Sequence, residues 1–161
     1  MKINLLITVI TILFPIITFC QEKSDYSTGG VGYTYISKYS KGGLYGYFLM
    51  PNGEKSGYYS NLDMFFIGNY TVSFLDINYA YLLTNTDIKI YPYAGIACGF
   101  VSDGYSNNPE YDFADIDAFK VGLSVGFGGT YCFNKISITC NYGYNSIIKA
   151  GLIRFGIGLK I

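Results

Sequence analysis

Asp63 and Asp76 lie midway along two consecutive β-patterned segments, and the alternation in each segment turns both carboxylates to the same side. Two carboxylates held together can divide the roles of general acid and general base. The same side also carries Lys120 and Arg154, which offers a second reading: buried ion pairs inside a narrow interior, where an unpaired charge is heavily penalised. The ion-pair reading is the expectation, with Asp63, Asp76, Lys120 and Arg154 as its members. The chain has no histidine (His 0), so no Ser–His–Asp triad, Asp–His dyad or histidine metal cluster can be assembled. The expectation is therefore that the protein is not an enzyme, and a carboxylate pair is the last catalytic alternative.

A second group of acids sits in one connection, "SDGYSNNPEYDFADID" at 102–117, which holds Asp103, Glu110, Asp112, Asp115 and Asp117 of the 11 acidic residues. Such a cluster could hold Ca²⁺ through carboxylate and carbonyl oxygens, but it departs from the D-x-D-x-D-G calcium loop. A solvated loop without a cofactor is the expectation. Tyr105, Tyr111 and Phe113 interleave with Asp112 and Asp115, and exposed aromatics among small polar residues suit recognition. Cysteines offer little chemistry: Cys98, Cys132 and Cys140 lack C-x-x-C spacing and read as small apolar side chains.

The elements that must position these groups are strands. Almost every segment after residue 28 shows period-two alternation, and turn residues separate them. Eight strands are expected, near 29–38, 43–51, 57–67, 70–83, 88–101, 117–131, 135–145 and 149–161. "SKGG", "PNGEKSG", "GN", "TNTD", "FNK" and "NSII" are the short turns. Ahead of them, Lys2 and the apolar run "INLLITVITILFPIITF" have the layout of a secretory signal peptide cleaved between Cys20 and Gln21. That gives residues 1–20 as signal and 21–161 as one domain.

The strands are apolar on one face only. In "AFKVGLSVGFG", Phe119, Val121, Leu123, Val125 and Phe127 oppose Lys120, Gly122, Ser124, Gly126 and Gly128. A water-facing surface would want about 25–35% charged residues, yet the whole chain has 14% and its polar faces are mostly Gly, Ser, Thr and Asn. Small and polar residues suit the inside of a narrow barrel, with the apolar face toward lipid. The expected segments also match the length needed to cross a bilayer at a tilt. The expected fold is all-β: an eight-stranded antiparallel up-and-down transmembrane barrel. Formal net charge is +0, which gives no electrostatic case for nucleic acid.

"YPYAGIACGF" at Tyr91–Phe100 resembles the PY-x-G-x-G strand of small outer-membrane β-barrel proteins of the porin-like, OmpA-type barrel family of Bacteroidetes, and "VGLSVGFGGTY" resembles the Gly-alternating strand that follows that family's large loop. The closing "RFGIGLKI" is similar to the pattern read by the barrel-assembly machinery, with Arg154, Gly156, Leu159 and Ile161 in its places and Ile161 where the family ends in Phe. The resemblance implies a Gram-negative outer membrane location, with outer-membrane lipids and the assembly machinery as partners. It implies no shared activity. A structural or surface-interaction role of a monomer, through loop residues Tyr105, Tyr111, Asp112, Phe113 and Asp115 and an unknown extracellular ligand, is the expectation. A narrow passage for small solutes is the alternative. Inward Gly122, Gly126, Gly128, Gly143, Gly156 and Gly158 would leave space for one, partly filled by Tyr91 and Tyr93.

Overall fold

The period-two segments form long strands that each hydrogen-bond to two neighbours, so the sheet closes on itself. A computed structural model describes residues 26–67, 70–102 and 119–161. The expected signal segment and the acidic connection, with Tyr105, Tyr111, Asp112, Phe113 and Asp115, lie outside the described residues. The strands are β1 (Thr28–Ile36), β2 (Lys41–Pro51), β3 (Ser56–Ile67), β4 (Tyr70–Tyr81), β5 (Thr84–Asn85), β6 (Ile88–Ser102), β7 (Phe119–Phe133), β8 (Ile136–Asn145) and β9 (Ala150–Lys160). Neighbours pair antiparallel in chain order, β4 pairs with β6, and β1 pairs with β9. Leaving aside the two-residue β5, the result is a closed eight-stranded barrel. Closure removes the unpaired row of N–H and C=O groups that a sheet edge would present to lipid.

The sense of the alternation is inverted relative to a soluble barrel. Val31, Leu44, Leu62, Ile77, Leu123 and Ile157 project outward and are exposed, whereas Asp63, Asp76, Asn61, Asn141 and Arg154 point inward and are buried. An apolar outer belt around a polar interior is the arrangement that a bilayer requires of a spanning barrel.

Glycine makes closure sterically feasible at the β1–β9 seam. Gly32 pairs with Gly156. A Cβ on Gly32 would stand 2.5 Å from the Gly156 Cα and would collide with the Phe155 carbonyl. Gly95 meets the β4 backbone at Asn78 in the same way, 2.6 Å from its Cα. These close approaches let a small barrel curve tightly.

The "TNTD" segment is more than the short turn its composition suggests. Thr84 and Asn85 pair with Ile90 and Lys89 as β5, and the Thr84 hydroxyl donates to the Ile88 carbonyl at 2.8 Å. The turns after β1 and β8 lie at the end of the barrel where β6 ends and β7 begins. Tyr26 and Ile161 stand at the other end, where Ser27 and Ile161 exchange backbone hydrogen bonds of 3.1 and 2.8 Å.

Candidate functional site

The interior is filled in four zones. At the long-connection end Ile36, Phe65, Val72, Phe74, Ile148 and Leu152 make an apolar plug, with Tyr39 and Ile147 against it. At the other mouth Tyr26 lies between two ammonium groups, the Lys89 Nζ 3.4 Å and the Lys160 Nζ 3.6 Å from its ring centroid. Lys89 also donates to the Tyr26 carbonyl at 2.8 Å, and the Tyr26 hydroxyl donates to Asp87 at 2.9 Å.

Between them lies the charged layer. Asp63 (β3), Asp76 (β4) and Arg154 (β9) are each 0% exposed. Arg154 Nη2 stands 2.6 Å from Asp63 Oδ2 and 3.1 Å from Asp76 Oδ2. Its Nε donates to both Asp63 oxygens at 3.0 and 3.1 Å, and its Nη1 donates to the Tyr93 hydroxyl at 3.1 Å. The Asn61 amide bridges the two carboxylates, donating to Asp63 at 3.0 Å and to Asp76 at 3.1 Å. Asp76 also accepts from the Ser124 hydroxyl at 3.0 Å and from Asn145 Nδ2 at 3.4 Å. Arg154 thus ties β9 to β3, β4 and β6 across the lumen. A fork of fixed N–H donors suits this better than a flexible ammonium. Lys120 is half-buried on β7, where it pairs in register with Gly99 on β6.

The tyrosines supply the rest of the filling, and sequence reasoning underestimated them. Tyr45 and Tyr59 share a hydrogen bond of 2.6 Å, and Asn141 Nδ2 donates to the Tyr45 hydroxyl at 2.9 Å. The Tyr91 hydroxyl donates to Asn141 Oδ1 at 3.1 Å, and Tyr47 pairs with Ser137 at 2.8 Å. Tyr59 and Tyr91 would suit a membrane-interface girdle by their places toward strand ends, but they are buried in the lumen, while Tyr79, Tyr81, Tyr142 and Tyr144 do face outward. Rings lie against four of the six inward glycines: the Tyr93 hydroxyl lies against Gly126 and Gly143, Tyr91 covers Gly128, and Tyr45 and Tyr47 cover Gly156. Tyr91 and Tyr93 were expected inside; period-two parity on β2 also groups Tyr45 with Tyr47, but Leu44, Phe48 and Met50 make the opposite face equally apolar, so the inward face of β2 was not marked.

The remaining expected positions are spread along the wall. Gly156 faces the lumen, and Leu159 and Ile161 face outward beside the β1–β9 seam. Cys98, Cys132 and Cys140 are free thiols, half-buried, buried and exposed respectively. In chemical terms, the layer fixes both carboxylates on one guanidinium behind an apolar plug. That geometry suits charge neutralisation and cross-barrel bracing rather than proton transfer to a substrate.

No family model and no curated protein matches this chain in sequence. Solved structures do resemble its fold. The outer membrane protein OprG from Pseudomonas aeruginosa aligns with a TM-score of 0.67 at 12% identity, covering 87% of this chain and 97% of that one. A de novo designed transmembrane β-barrel gives 0.59 at 14%, covering 88% and 99%. Ail, the attachment invasion locus protein of Yersinia pestis, solved with the heparin analogue sucrose octasulfate, gives 0.58 at 14%, covering 85% and 99%. The chain has the fold of small outer-membrane β-barrels.

Proposed function

We propose that this chain is a structural and surface-interaction barrel of a Gram-negative outer membrane, with a closed lumen and its recognition surface at the long-connection end. The observation that carries this reading is the filling of the interior: an apolar plug, a cross-linked Arg154–Asp63–Asp76 layer and a stack of tyrosines lie in series along the axis. A solute would have to displace packed, hydrogen-bonded side chains at each level, so passage is disfavoured. The same sealing keeps substrates from the carboxylates and supports a non-enzymatic role. A lipid-facing belt and the likeness to outer-membrane barrels support the location, and the strand motifs quoted above support placement within the OmpA-type barrel family. In this orientation Tyr26 and Ile161 face the periplasm and the β6–β7 connection faces outward, with Tyr105, Tyr111, Asp112, Phe113 and Asp115 as its recognition residues. A related scaffold, Ail, has been solved with a heparin analogue, so a barrel of this size can present a ligand-binding surface.

The test is conductance in planar bilayers. The purified barrel is expected to give no steady unitary currents in alkali chloride. Reproducible currents would overturn the closed-lumen reading in favour of a narrow passage for small solutes.

A further inference from the structure

The apolar outer wall differs in height around the barrel. On β7 every second residue from Phe119 to Phe133 points outward, and all are apolar or aromatic and exposed apart from the half-buried Gly129. On β6 the same outward apolar alternation runs from Ile88 to Phe100. On β2 it runs only from Leu44 to Met50, with Gly42 beyond one end and Asn52 beyond the other. On β1 it runs from Val31 to Tyr35, between Gly29 and Ser37. At about 3.3 Å per residue and a strand tilt of about 40°, each residue climbs about 2.5 Å along the axis. The walls are then about 35 Å high on β7 and about 30 Å on β6, against about 15 Å on β2 and about 10 Å on β1.

The high and low walls face each other. In the ring β1-β2-β3-β4-β6-β7-β8-β9, β7 stands opposite β2 and β6 stands opposite β1. Register fixes their relative level. Stepping across paired residues from Tyr47 on β2 leads through Asn61, Asp76 and Ala97 to Gly122 on β7. Stepping the other way leads through Gly30, Gly158 and Ser137 to Cys132. The β7 residue level with Tyr47 lies midway between those two, at Phe127. Tyr47 is the middle of the β2 wall and Gly126 the middle of the β7 wall, so the two walls share a mid-level. From Tyr33, the middle of the β1 wall, the same steps reach Phe100 and Ile90 on β6. Their midpoint, Gly95, is the neighbour of Ala94 at the middle of the β6 wall. Tilting the barrel raises one wall as it lowers the other and changes the height of neither. Spanning barrels carry an apolar band of about 25 Å, so β6–β7 exceeds it and β1–β2 falls short of it at both ends. Lipid has to make up the difference, by the local thickening and thinning that mismatch produces.

We propose that this barrel deforms the lipid around it unevenly: extended or longer acyl chains pack along β6–β7, and the bilayer thins along the opposite β1–β2 hairpin. The thinned strip borders the β1–β9 seam.

The chain contains no tryptophan (Trp 0), so a single substitution supplies one selectively excited emitter. Phe119→Trp and Phe133→Trp mark the ends of the β7 wall, and Ser37→Trp and Asn52→Trp lie just beyond the β1 and β2 walls. The β7 positions stand about 20 and 15 Å from the Tyr47 level, the other two about 14 and 13 Å. Each variant is refolded, checked for heat modifiability, and placed in phosphatidylcholine bilayers with and without bromine on the acyl chains. In a flat bilayer the more distant β7 positions lose less emission to bromine. The proposal requires the reverse at both ends: a greater loss for Phe119→Trp than for Ser37→Trp, and for Phe133→Trp than for Asn52→Trp. Reversal at one end only would mean a tilted barrel, and reversal at neither would mean a flat bilayer or a β7 wall covered by protein; either result overturns the proposal. If a β7 variant does not fold, Phe100→Trp or Ile88→Trp at the corresponding end of the β6 wall takes its place in the same comparison.

Discussion

Arg154 makes the largest set of polar contacts in the charged layer, and its removal has a definite expected consequence. Arg154→Ala leaves both Asp63 and Asp76 buried without their guanidinium, and losing one partner of a buried charged group costs about 3–5 kcal/mol. Adding Asp63→Asn removes one stranded charge, so the double variant should recover part of that loss. A double-mutant cycle by urea unfolding checks this: the two effects should be strongly less than additive, and strict additivity would mean that the pair is not coupled. At this scale the sequence was legible where parity alone decides. Asp63, Asp76 and Arg154 fall on the inward face because period two offers only two faces. That Arg154 reaches both carboxylates at once was not legible, because it depends on relative height along the axis. Strand register and tilt set that height, and neither appears in a local pattern. The tyrosines were ambiguous for a related reason: a phenol suits both a membrane interface and a hydrogen-bonded interior, so Tyr59 and Tyr79 look alike until register places one inside and the other outside.

At the level of elements, each strand was legible to within two residues or so at nearly every end, because long alternation bounded by Gly, Asn and Pro is a strong signal. β5 was missed because two residues carry no period. Closure leaves its mark in glycine. Gly32 lies where β1 and β9 come so close that a Cβ would stand 2.5 Å from the Gly156 Cα, whereas Gly46 on β2 has nothing nearer to its Cβ position than the Gly30 carbonyl at 3.9 Å. Gly32→Ala must push the seam apart, at a cost of about 1–3 kcal/mol for forced overpacking, and it strains the pairing that completes the barrel. Gly46→Ala should be tolerated. The comparison is the folded, heat-modifiable fraction on unheated SDS gels after refolding into detergent: reduced severalfold for Gly32→Ala and unchanged for Gly46→Ala. Equal yields would mean that the seam relaxes freely and that its close approach does not limit closure.

For the whole molecule, the decisive signal was which face of the strands was poor in charge. Outward Leu, Ile, Val and Phe with inward Gly, Ser, Thr and Asn fit only a barrel whose outer solvent is apolar, so the membrane setting could be read before any contact was known. How far the lumen is filled could not be read, because six inward glycines suggest space when counted alone, and the rings that lie against four of them come from β2 and β6. The β6–β7 connection is where barrel and surface can be separated experimentally. β6 and β7 pair continuously from Ile88↔Tyr131 to Phe100↔Phe119, so their ladder is complete without any residue of the connection. Replacing Asn107–Asp115 with a short Gly-Ser turn is therefore expected to leave heat modifiability and urea stability unchanged, since loop shortening alters closure entropy only slowly with length. The same replacement removes Tyr111, Asp112, Phe113 and Asp115, four of the five proposed recognition residues, and should abolish adhesion of expressing cells to whatever surface the native barrel binds. Adhesion that survives in a folded, loop-replaced barrel would shift recognition to the shorter turns at the same end, Ser37–Ser40 and Ser146–Lys149. Loss of folding would instead make the connection part of the barrel's own structural core.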